Sequence, residues 1–151
     1  MRSVTYSMGL SLDGYIARPD GGFDWAAPDE EVFRFVTDEL RQVGVHLLGR
    51  GGLAEEIERL RAEPAAEGNI AIGGAALAAE AAALDLIDEY HARVHPVLAG
   101  GGTPFFPQRG RQVDLDLVEA RTFGSGVACL RYRVVRQVAA PAGGEIRSAG
   151  R

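Results

Sequence analysis

The chain contains no lysine; all 16 of its basic residues are arginine. That absence excludes a Walker-type phosphate loop, a Schiff-base lysine and a catalytic Lys–Glu pair, each of which needs a lysine amino group. Cysteine is nearly missing too, and the single Cys129 rules out an internal disulfide and a cysteine-rich zinc site. No apolar run spans a bilayer, because the most hydrophobic stretch, residues 71–86, is broken by Glu80 and Asp85. The first residues, MRSVTYSMGLSLDG, lack the cationic and apolar regions of a secretory signal, so a cytoplasmic chain is expected. There is no basic excess: a net charge of −5 gives no electrostatic footprint for nucleic acid. What remains is an ordinary soluble composition, 46% hydrophobic and 25% charged over 151 residues, enough for one domain with a real core.

The stretch from Asn69 to Gly102 organises the chain. A short apolar run, Ile70-Ala71-Ile72, ends in Gly73-Gly74 and leads into an alanine-rich helical segment. A strand delivering a glycine pair to a helix N-terminus can hold an anion, because bare backbone N–H groups and the helix dipole both favour negative charge. A tight turn between a buried strand and a close-packed helix needs the same glycines. On the pair alone both readings stay open.

Residues 2–8 read as a first strand, followed by an Asp13-Gly14 turn, an extended segment through Ala17, and a second turn at Pro19–Gly22. Pro28 at the first helical position, with Asp29, Glu30 and Glu31 behind it, predicts a helix start. Val32, Val36, Leu40 and Val43 form its expected core stripe, and Arg34, Asp38 and Arg41 face water. A strand over Val45–Leu48, a helix marked by Leu53, Ile57 and Leu60, a strand at Ile70–Ile72 and a helix from Ala75 to Leu84 follow. Ile87 to Leu98 alternates, with Tyr90, Ala92 and Val94 on one face and Glu89, His91, Arg93 and His95 on the other. Residues 113–123 and 127–138, around Gly124-Ser125-Gly126, read as a hairpin, and residues 139–151 as a disordered tail. Helices alternating with short apolar strands imply a parallel α/β sheet.

The other candidate constellations fall to simpler readings. His91 and His95 are four residues apart, but on a strand that separates them by about 13 Å, too far for a shared metal. Ser125 sits in Gly-Ser-Gly rather than a nucleophile elbow, and Cys129 alternates within a strand as a packed thiol. No G-x-G-x-x-G is present.

The segments SLDGYIA (11–17), FDW (23–25), LLGR (47–50), IAIGGAAL (70–77), LIDEYHARVHPVLAGGGTPFF (86–106) and LRYRV (130–134) occur in one order across nearly the whole chain. Together they resemble the bacterial dihydrofolate-reductase-like proteins related to the reductase domain of the riboflavin biosynthesis deaminase/reductase. The resemblance implies a three-layer αβα fold over residues 1–138, its sheet mostly parallel with a C-terminal antiparallel hairpin. It also implies NADPH as hydride donor, a small pterin- or ribosylaminopyrimidine-like substrate, no metal, and a homodimer. Carried over by position, Gly73, Gly74, Ala75 and Ala76 match the turn that holds the cofactor diphosphate, and Gly49 and Arg50 the start of a second cofactor turn. Ala17 matches the loop beside the nicotinamide. Ser11, Asp13 and Trp25 match positions bordering the substrate. Glu30, or Asp29 if the register shifts by one, matches the substrate-binding acid, and Asp13 joins them as a candidate catalytic group.

The chain departs from the family after Arg50, which runs directly into Gly51-Gly52-Leu53, so that roughly fifty residues of the expected domain, including a central strand, are missing. The leading expectation is an NADPH-dependent reductase. The alternative is a dimeric nucleotide-binding module without catalysis.

Overall fold

The computed structural model describes residues 2–27, 29–48, 52–63, 67–106 and 112–136. Gly49, Arg50, Pro28 and the expected tail at 139–151 lie outside the described residues. Among the described residues, eight strands and three α-helices follow one another as β1 (Val4–Ser11), β2 (Tyr15–Ala17), α1 (Glu30–Leu40), β3 (Val43–Leu47), α2 (Leu53–Ala62), β4 (Asn69–Ile72), α3 (Ala75–Ala83), β5 (Glu89–His95), β6 (Thr103–Pro104), β7 (Leu115–Thr122) and β8 (Ala128–Val134), with a 3-10 turn at Asp24–Ala26. Six strands form the main sheet in the order β3-β4-β1-β5-β8-β7, and β2 pairs with β6 in a small second sheet. The β3-β4-β1-β5 part is parallel, while β8 runs antiparallel to β5 and β7 antiparallel to β8. This is the α/β sheet with a C-terminal antiparallel hairpin that the sequence led us to expect.

The chain order also explains the layers. The crossover β1-α1-β3 travels past β4 in one direction, and β4-α3-β5 travels back past β1 in the other. Right-handed crossovers running in opposite directions place their helices on opposite faces. On one face Val4, Tyr6, Ile70, Ile72 and Tyr90 pack with Leu53, Ile57 and Leu60 of α2 and with Leu77, Ala78, Ala81 and Ala82 of α3. Fully buried side chains of this kind, such as Ile57 and Ile70, contribute about 1.5–3 kcal/mol each. The small alanines at 78, 81 and 82 bring α3 close to the sheet. On the other face α1 stands alone. Its Val32 packs with Phe123, Val127 and Cys129, and Phe35 and Val36 lean on that cluster.

Several expectations need correction. The helix begins at Glu30 with Asp29 as its N-cap, the Asp29 carboxylate accepting from Val32 N–H at 2.8 Å. An aspartate cap outcompetes a proline start because it satisfies an otherwise orphaned N–H. Leu40 is half exposed, and Val43 belongs to β3, not to the helix. The stripe therefore holds only at its N-terminal end. Strand β1 extends to Ser11, beyond the expected end at residue 8, because β5 continues alongside it through the pair Ser11–His95.

Candidate functional site

Strands β1 and β5 outrun β4 at their carboxyl ends, which sets the site's outline. Ile72 pairs with Tyr6, and Tyr6 with Tyr90, so β4 stops one residue below Ser7 and His91 while β1 and β5 continue to Ser11 and His95. Gly73 and Gly74 turn the chain there into α3. Gly74 has φ +98, a conformation that L side chains rarely adopt, and the space where its Cβ would project is empty. It caps α3 without any side-chain hydrogen bond. The first N–H groups of α3 therefore keep the donor capacity that a helix N-terminus offers an anion. A Cβ on Gly73 would collide with Leu48 Cδ2 at 2.3 Å, so the end of β3 closes over this glycine. Such a turn can take an anionic group.

The carboxyl ends of β1 and β5 carry the second cluster. Ser11 Oγ donates to Asp13 Oδ1 at 2.5 Å, and the same carboxylate accepts from the N–H groups of Ala99 and Gly100, both at 2.9 Å. The Ser11 hydroxyl, first among these donors, holds the Asp13 carboxyl down at about 2, so it is ionised at neutral pH. Asp13 thus fastens the turn at residues 11–14 to the glycine-rich loop. Gly102, at φ +122, lies against the carbonyl of Ala17, and β2 pairs with β6 across that contact. Trp25 packs edge-on against buried His95 with ring centroids 5.5 Å apart.

The third part is a cavity of about 730 Å³ between α1 and the sheet, reaching from Gln42 and Asn69 to Gly73. Phe35, Val36 and Leu40 of α1 form its apolar wall, and β5 and the hairpin supply a charged one. Glu39, on the inner side of α1, accepts from Ser7 Oγ at 2.8 Å and lies 3.1 Å from His91 Nδ1. His91 Nε2 is 2.9 Å from Glu89 Oε1, and Arg93 donates to Ser7 Oγ at 2.9 Å. Burial lowers the His91 pKa, but Glu39 and Glu89 together outweigh it, and the net shift is upward. Burial raises Glu39, and His91, Ser7 and Arg93 more than reverse that. Burial pushes the Cys129 thiol up to about 11, which fits a packed thiol and not a nucleophile.

The structure thus separates the residues singled out from sequence. Gly73 borders the cavity, with Gly74, Ala75 and Ala76 at the helix start beside it. Ser11, Asp13 and Ala17 gather at the glycine-rich loop. The two α1 acids line neither. Asp29 is occupied as the cap, with Val32 N–H and then the Ser125 hydroxyl holding its carboxyl below the ordinary range. Glu30 is exposed and pairs with Arg34 at 2.6 Å. Sequence reasoning missed Glu39, Ser7 and the network around His91. Its one available signal was the run of Glu89, His91, Arg93 and His95 on a single strand face, which turns out to be turned inward under α1.

Comparison with known proteins sets this geometry in a family. The RibD C-terminal domain profile matches residues 53–129, just over half of the chain. An uncharacterised protein of Bacillus subtilis, YyaP, is 24% identical over 180 aligned positions, which take in 87% of this chain and 94% of the relative. A crystal structure from Shewanella sp. PV-4, assigned to riboflavin biosynthesis, superposes with a TM-score of 0.75 at 19% identity, covering 89% of this chain and 99% of that one. The Thermotoga maritima diaminohydroxyphosphoribosylaminopyrimidine deaminase/5-amino-6-(5-phosphoribosylamino)uracil reductase superposes at 0.61 and 15% identity, covering 89% of this chain and 57% of that longer protein. On the strength of the profile match and the shared fold, the chain belongs to the RibD C-terminal domain family.

Proposed function

We propose that this protein is an NADPH-dependent reductase of a small amino-substituted nitrogen heterocycle of the ribosylaminopyrimidine or pterin kind. The observation that carries the reading is the uncapped α3 N-terminus behind Gly73-Gly74, opening beside a 730 Å³ cavity large enough for such a molecule. The bound dinucleotide would supply a hydride. The chain's own part is to hold the diphosphate on the N–H groups at Ala75 and Ala76 and to seat the heterocycle between α1 and the sheet. It also keeps bulk water from the reacting carbon. Asp13 keeps the loops at residues 11–14 and 99–100 together, and Ser11, Ala17 and Trp25 are assigned to this end of the site on their sequence resemblance. Gly49 and Arg50, outside the described residues, are assigned to the cofactor on the family resemblance of their sequence. Asp38, Glu39, Glu89 and Glu119 line the cavity, whereas Asp29 and Glu30 shape the start of α1.

Titration with NADPH, followed through the fluorescence of Trp25, tests the reading. Saturable binding in the micromolar range with weaker binding of NADH is expected. Gly74→Val should weaken NADPH by at least about tenfold. It should also lose about 1–3 kcal/mol of stability, since φ +98 strains any side chain. Full affinity in a folded Gly74→Val protein would place the diphosphate elsewhere. Binding of NADPH without its oxidation by any heterocycle would favour the non-catalytic nucleotide-binding module.

A further inference from the structure

Reduction of a C=N or C=O group leaves the heteroatom in need of a proton, and a side chain positioned in the site can provide it. The carboxyl groups in contact with His91, and the one at the glycine-rich loop, are held in their ionised form and do not suit that task. Asp13 is held at about 2, and Glu39 and Glu89 are pushed below their ordinary values by hydrogen bonds and neighbouring cations. Arginine does not release its proton in proteins.

We propose that His91 is the proton donor of this site, delivering the proton on Nδ1 to the substrate heteroatom while Glu89 orients the ring. The inference rests on the reductase reading and adds to it the identity of the acid. His91 is 7% exposed and lines the cavity wall. Its Nε2 is fixed 2.9 Å from Glu89 Oε1. Its Nδ1 is ion-paired with Glu39 Oε2 at 3.1 Å but is not aligned for a hydrogen bond to it, so a better-placed acceptor can take this buried N–H. Buried donors are ordinarily satisfied, and an acceptor atom on a molecule in the cavity would satisfy this one. The strand register favours the same position. Gly73 follows Ile72, and Ser7 and His91 follow their paired Tyr6 and Tyr90, so all three stand at one level on adjacent strands. Two strand spacings, about 10 Å, then separate the cofactor turn from the imidazole.

The surroundings set the charge state. Glu39 faces His91 from α1, Glu89 and Arg93 from β5, Arg131 and Cys129 from β8, and Glu119 and Arg121 from β7; His46 of β3 lines the same cavity. The two carboxylates in contact prevail over burial and shift the ring toward its cationic form. In the step, the carbon receives a hydride from the reduced nicotinamide dinucleotide as the π bond to the heteroatom breaks. The heteroatom takes the Nδ1 proton, and His91 is left neutral with its Nε2–H on Glu89. Water then restores the proton.

The test combines nitrogen-15 NMR of the histidine rings with steady-state kinetics, using 5-amino-6-(5-phosphoribosylamino)uracil and, separately, dihydrofolate. His91 is assigned by the signal lost in His91→Gln. It should be imidazolium at pH 7, titrate above the ordinary histidine value, and titrate lower in Glu89→Gln. In His91→Gln, kcat should fall about 100-fold, with KM and NADPH affinity changed less than about threefold. The alkaline limb of the pH profile should disappear. A neutral His91 at pH 7, or a His91→Gln kcat within about twofold of wild type, overturns the assignment. If neither compound turns over, the Nδ1 resonance decides: a shift on adding the uracil compound with NADP+ supports the contact, and no shift overturns it. Failure of the wild-type protein to bind NADPH is a different result, which removes the reductase reading itself.

Discussion

At the scale of single residues, burial without a partner is the informative state. Tyr6 is fully buried, its ring stacked on Phe105 at 4.5 Å and edge-on to Tyr90 at 6.2 Å. Its hydroxyl has no hydrogen-bond partner among the described residues, and burial raises its pKa. Tyr6→Phe keeps the ring and removes the orphaned hydroxyl, so urea denaturation should find the variant as stable as wild type or more stable by up to about 1 kcal/mol. A loss of more than about 1 kcal/mol would mean that the hydroxyl has an acceptor after all. The glycine pair at 73–74 was legible because backbone chemistry is local: a strand, two glycines and a helix stand next to one another in sequence. Asp13 was not. Its partners Ala99 and Gly100 are 86 and 87 positions away, and no local pattern shows that its carboxylate is already taken by their N–H groups. Glu39 escaped for a similar reason, since a carboxylate in a helix is ordinarily solvated until the helix is laid over a strand bearing His91 and Arg93.

At the scale of elements, the periods of the strands and of α2 and α3 read through clearly, while the ends depended on pairing. Residues 89–95 form a strand as expected, but Tyr90, His91 and Ala92 are all buried, because both faces of β5 are covered at that point. Helix α1 is the exception. Its polar contacts to β1 and β5 converge on Glu39, and its apolar contacts lie nearer its start, in the Val32 cluster. A single core stripe therefore describes only its first half. The small β2–β6 sheet turns on one glycine: a Cβ on Gly102 would lie 1.9 Å from the Ala17 carbonyl oxygen, at φ +122. Gly102→Ala is expected to cost about 3 kcal/mol or more. It should also raise amide exchange across residues 15–18 and 102–105, measurable by hydrogen exchange with mass spectrometry. Unchanged exchange there would show that the loop accommodates the methyl group without moving Ala17.

At the scale of the whole molecule, β3 ends the sheet, paired among the described residues only with β4. The exposed Leu48 follows it, and the half-exposed Leu40 precedes it. We read this open edge as the place where the segment expected after Arg50 is lacking, and as the natural face for a second copy of the chain. Sedimentation should give twice the 16.1 kDa chain mass. Leu48→Glu should return the protein to single-chain mass, and a wild-type monomer at micromolar concentration would dismiss the pairing. No helix among the described residues is long and apolar enough to cross a membrane.

The sheet has two unlike faces, one packed with aliphatic and aromatic side chains under α2 and α3, the other polar beneath a single helix. Folding and chemistry therefore draw on different residues of the same strands. Alternate positions of β1 and β5 answer to opposite demands: Tyr6 and Tyr90 to cohesion, Ser7 and His91 to whatever enters the cavity. A lineage built on this scaffold could exchange the second set, and with it the molecule it acts on, while the first set keeps the chain folded. Substrate choice would then be free to drift without passing through unfolded intermediates.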